Sequence, residues 1–137
     1  MSFSNSERKR LADLADVLIP SADGSLSASE ADVGGRGLDQ FLATCPEMDS
    51  GLRQLLLKVG DGPASDAVAK LRQAEPAAFG VLAEFAAGAY FLNPAVCQAL
   101  GYAGQTARPI DPAPDYLDDG LLESVIQRGP ICRPTPK

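Results

Sequence analysis

The chain has 137 residues, with 12 basic and 18 acidic side chains, a net charge of -6, 45% hydrophobic residues and no histidine. That length allows one domain with a real core, and the hydrophobic fraction excludes a chain disordered throughout. The acidic balance argues against nucleic acid as a partner, and the missing histidine excludes the ordinary catalytic triads and zinc sites.

Ser6 is placed to cap a first helix, whose Leu11, Leu14, Ala15 and Leu18 recur at the three- and four-residue spacing of one face before Pro20 ends it. A loop of small polar residues follows from Ser21 to Ser29, and Ser27 or Ser29 can cap a short turn through Glu30 to Val33. Gly34, Gly35 and Gly37 break the chain before a second helical face of Leu38, Phe41 and Leu42. Pro46 and Asp49 open a helix bearing Leu52, Leu55, Leu56 and Val59, closed by Gly60-Asp-Gly62. Pro63 starts the next, with Ala67, Val68 and Leu71 inward and Asp66, Lys70 and Arg72 outward. Pro76 is the first residue of a helix reaching about Leu92, and Pro94 opens a short one ending at Gly101. No alternating strand pattern of useful length occurs. The predicted fold is all-α, a small helical bundle over residues 1–101 with an extended proline-rich tail over 102–137.

Between Ala77 and Ala107 the only charged side chain is Glu84. A helix apolar nearly all round is either central to a bundle or membrane-spanning. A lipid span wants about 20 strongly apolar residues, and a mid-helix carboxylate costs about 2.5 kcal/mol or more there. This segment is shorter and rich in Ala and Gly. It is therefore expected to be the central helix, with Gly80, Ala83, Ala87 and Gly88 admitting close neighbours, and no membrane span is expected.

The tail holds six of the eleven prolines: Pro109, Pro112, Pro114, Pro130, Pro134 and Pro136. Such density forbids long helices and strands, leaving only Asp119 to about Gln127 for a turn or two of helix. Yet Tyr102, Ile110, Tyr116, Leu117, Leu121, Leu122, Val125, Ile126 and Ile131 are spread along it. An extended chain with regular apolar anchors reads as a segment that lies on a surface. Stretched out it would reach on the order of 120 Å, so that surface is expected to be another protein's.

The chemistry-bearing groups are few. Cys45, Cys97 and Cys132 are odd in number, widely spaced and without a CxxC pair, the pattern of reduced structural thiols. Asp23, Ser25, Ser27, Ser29 and Glu30 alternate like calcium ligands, but a calcium loop begun at Asp23 needs Gly at Ala28 and Glu at Gly34. Glu84 is the one candidate for a buried acid, and it has no second acid at a useful spacing; solvent, Arg53 or Arg108 would serve as its surroundings. Gly34-Gly35-Arg36-Gly37 is too short for a dinucleotide fingerprint and follows no strand. Arg108, Arg128 and Arg133 suit protein contacts at least as well as anions. No catalytic, cofactor-binding or metal-binding residue is expected, and the residues alone point to a helical, non-catalytic interaction subunit.

Two stretches carry a resemblance. Leu11-Ala-Asp-Leu-Ala-Asp-Val-Leu-Ile-Pro20, with the later Ser-Ala-Ser-Glu-Ala-Asp-Val33, resembles the opening of the gluconate 2-dehydrogenase subunit 3 family. Leu100-Gly-Tyr-Ala-Gly-Gln105, Pro114-Asp-Tyr-Leu-Asp-Asp-Gly-Leu-Leu122 and Arg128-Gly-Pro-Ile-Cys-Arg-Pro134 are similar to the small partners of bacterial flavin dehydrogenases. The resemblance covers the two ends of the chain. It implies a small, gamma-type subunit bound to a large subunit of the glucose–methanol–choline oxidoreductase family, which would carry FAD and oxidise a sugar or another alcohol. The small chain would support the large one's folding, stability or export.

Many members of that family begin with a twin-arginine export signal. This chain has Lys9-Arg10, but Asp13 and Asp16 interrupt any apolar region, so a cytoplasmic complex is expected. The expected partner-binding residues are Tyr102, Gln105, Arg108, Tyr116, Leu117, Leu121, Leu122, Arg128, Ile131 and Arg133. Two rival readings remain at this point: a self-contained helical adaptor or homo-oligomer, and a small enzyme using Glu84 or a cysteine.

Overall fold

The architecture is that of a computed structural model, which describes residues 2–105, 107 and 120–130. The chain divides into two units, residues 1–104 and 105–137. The first contains α1 (Asn5–Leu18), a π-type turn (Val33–Gly37), α2 (Leu38–Thr44), α3 (Met48–Val59), α4 (Ala64–Ala74), α5 (Pro76–Phe91) and α6 (Pro94–Ala99). The second contains α7 (Glu123–Arg128). Among the described residues there is no strand beyond an isolated bridge between Ala22 and Ser25. The fold is all-α.

The cap of α1 is Ser4 and not Ser6. Ser4 Oγ accepts from the Glu7 amide (3.3 Å) while the Glu7 carboxylate accepts from the Ser4 amide (2.7 Å). This reciprocal pair needs an acid three residues after the cap. Ser4 has Glu7 at that spacing, whereas Ser6 has Lys9. The Ser4 amide and the Ser4 hydroxyl both donate to the Glu7 carboxylate and hold that carboxyl below its ordinary range, and the Arg53 guanidinium does the same for Asp49.

A carboxyl depressed by folding adds stability that is complete above its unfolded value and is lost as pH falls through the lower folded one. Ser4→Ala, which removes the cap of α1, is expected to cost about 1 kcal/mol at neutral pH. The gap from the wild type should narrow as pH falls below about 4, which thermal melts across a pH series will read.

α5 is the centre of the first unit, packed against α1, α2, α3, α4, α6 and the π-type turn. Its Leu82, Phe85, Ala86, Ala89 and Tyr90 are buried. They meet Leu11, Leu14 and Ala15 of α1, Leu52 and Leu55 of α3, and Val68 and Leu71 of α4 in one apolar core. The expected inward faces of α1, α3 and α4 are those that pack.

The four small residues of α5 do not act alike. A Cβ on Gly88 would stand 2.5 Å from the buried Phe41 ring, which lies edge-on to Phe85 at 5.7 Å between centroids. Gly80, in contrast, faces open space, and Ala77, Glu84, Ala87 and Phe91 are exposed with it. The helix is central, but one side of it is bare. Gly88→Val is expected to displace the Phe41 ring and cost about 1–3 kcal/mol, visible as a lower urea midpoint, while Gly80→Ala should match or exceed the wild type.

The loop between α1 and α2 is fastened rather than loose. Ala28, Ala31 and Val33 are buried, the Tyr90 hydroxyl donates to the Leu26 carbonyl (2.7 Å), and Asn93 Nδ2 donates to the Ala31 carbonyl (2.9 Å). Asp16 accepts from both the amide and the hydroxyl of Ser29. Asp32 adopts φ 56° and takes the Arg36 amide on Oδ2 (3.0 Å). Gly34 lies so close to α1 that a Cβ would collide with the Arg8 carbonyl. Arg8 closes the joint: its guanidinium donates to the carbonyls of Phe3, Gly34 and Gly35 and to Asp39.

Candidate partner-binding surface

The end of the first unit is shaped by two short-range devices. Asn93 caps α6, its Oδ1 accepting from the Ala95 amide (2.9 Å), and buried Val96 anchors that helix to the core. At the other end Gly101 takes φ +70°. The Gly101 amide then donates to the Gln98 carbonyl (3.0 Å) and the Tyr102 amide to the Cys97 carbonyl (2.8 Å). That pair of bonds is the Schellman ending, which satisfies the last carbonyls of a helix and turns the chain back.

The turn leaves an open cavity of about 500 Å³, lined by Pro94, Cys97, Gln98, Gly101, Tyr102, Ala103 and Gly104. Large apolar side chains are exposed on the same stretch of chain: Phe91 at 55%, Leu92 at 40%, Leu100 at 58% and Tyr102 at 58%. No charged residue occurs from Phe85 to Ala107. A smaller cavity of about 80 Å³ shares Pro94 with the first and has a mixed lining, Asp32, Arg36, Gln40 and Asn93 beside Ala31 and Ala89.

In the second unit, α7 buries none of its residues. Leu121 and Ile126 are 69% exposed and Val125 55%. Its one side-chain bond within the helix runs from Gln127 Nε2 to Glu123 Oε1 (3.1 Å). A helix of six residues gains little from its own hydrogen bonds, because nucleation is costly and few bonds follow it.

The expected partner-binding residues fall in three places. Tyr102 lines the cavity of the first unit. Gln105 is exposed, and Leu121, Leu122 and Arg128 lie on or beside α7, with Leu122 half-buried and the other two exposed. Arg108, Tyr116, Leu117, Ile131 and Arg133 lie outside the described residues. Sequence reading missed Phe91, Leu92 and Leu100, although the signal was present. A charge-free run such as the one after Glu84 reads as burial, and it equally marks an apolar surface.

The other candidate groups have structural surroundings. Glu84 is exposed on the bare side of α5, and Arg53, weighed as its neighbour, hydrogen-bonds to Asp49 at 2.7 Å and lies over the Phe3 ring. Cys45 and Cys97 are half-buried free thiols, and Cys97 Sγ donates to the Phe91 carbonyl. Ser27 and Glu30 bond to each other's amides, and Ser29 bonds to Asp16, so these oxygens serve the loop itself.

Comparison with family models, with curated proteins and with solved structures returned no match. Among the described residues no helix is long and apolar enough to cross a membrane.

Proposed function

We propose that this chain is a non-catalytic small subunit that binds and stabilises an FAD-dependent sugar or alcohol dehydrogenase of the glucose–methanol–choline family. The observation that carries the interaction role is apolar surface left uncovered in both units: Phe91, Leu92, Leu100 and the cavity-lining Tyr102 in the first, and Leu121, Val125 and Ile126 on or beside α7 in the second. Large exposed apolar side chains in such number on a short stretch of chain mark interaction sites. The nature of the partner rests on the resemblance of the two ends of the chain to flavin dehydrogenase small subunits. FAD and the redox chemistry belong to the large subunit.

The mechanism is thermodynamic linkage. A chain that binds only the folded large subunit stabilises it by about 2.7 kcal/mol when free small subunit stands at about one hundred times Kd. The described body supplies an apolar platform. The tail, with Tyr116, Leu117 and Ile131 as further anchors, extends the contact along the partner. The experiment is affinity capture with the tagged full chain from its own host. A yellow co-purified protein with a flavin spectrum supports the reading, and capture of no flavoprotein removes it.

A further inference from the structure

We draw no further inference here: the strongest candidate, the open apolar cavity between Pro94 and Gly104 with Phe91, Leu92 and Leu100 exposed on the same stretch of chain, belongs to the surface already described, and nothing in the structure shows what covers it.

Discussion

A chain lacking residues 102–137 is expected to lose the large subunit in co-expression while remaining a soluble helical protein. The core of the first unit runs from Phe3 to Val96, and every buried hydrophobic residue among those described lies within it. Truncation before Tyr102 therefore removes no described core residue, and the melting temperature should stay within a few degrees of the full chain. What is lost is contact surface: the Tyr102, Ala103 and Gly104 wall of the cavity, and the exposed Leu121, Val125 and Ile126 of α7. Ordering of such a segment on a partner buries roughly 1,000–3,000 Å². Losing an interface of that size exceeds by far the 1.4 kcal/mol that makes a tenfold change in affinity. A truncated chain that retains the large subunit at the full chain's level would sink the tail's role.

The second large effect is expected at Arg8, whose side chain is 20% exposed. Its guanidinium serves the Gly34 carbonyl (3.3 Å), the Gly35 carbonyl (3.1 Å), the Phe3 carbonyl (3.2 Å) and Asp39 (2.6 Å). Arg8→Met keeps much of the stem and strands the carbonyls at the joint between α1 and the π-type turn. The Asp39 carboxylate is 63% exposed, so the ion pair itself contributes little, about 0–1 kcal/mol. Two or three poorly satisfied carbonyls bring the total to about 2–4 kcal/mol. That is a large share of the roughly 5–15 kcal/mol that holds a domain together, and a fall in melting temperature of about 10 °C or more should follow.

Arg8→Lys should recover only part of the loss, since one ammonium cannot span the positions of a fork. Asp39→Ala should cost under about 1 kcal/mol. Melting of Arg8→Met at the wild-type temperature would show that the joint does not depend on this residue.

Much of the helical layout was legible because prolines and glycines punctuate this sequence. Pro76 and Pro94 open α5 and α6 at their first residues, and Gly60 and Gly101 follow α3 and α6. Apolar spacing identified Ala67, Val68 and Leu71 as the buried face of α4. The same rule lost its power on α5, where Ala and Gly occur on every side and periodicity cannot separate a packed face from a bare one. Gly88 and Gly80 look alike in sequence, yet one touches Phe41 and the other touches nothing.

The pinned loop was hidden for another reason. Its fastenings, Tyr90 to Leu26 and Asn93 to Ala31, join residues more than sixty positions apart, and no local pattern encodes them. For the candidate surface, Tyr102 could be read as an anchor from its place at the head of the tail. Phe91, Leu92 and Leu100 needed the fold, because only packing decides which apolar residues a small core leaves outside.

The central claim is that this chain keeps a flavoprotein folded. Its most direct measurement is the yield of soluble, FAD-loaded large subunit expressed with and without the full chain. The account predicts that flavin content per unit of large subunit, and its resistance to heating, rise clearly when the chain is present and fall back with the 102–137 truncation. Equal flavin loading and equal heat resistance with and without the chain would contradict it.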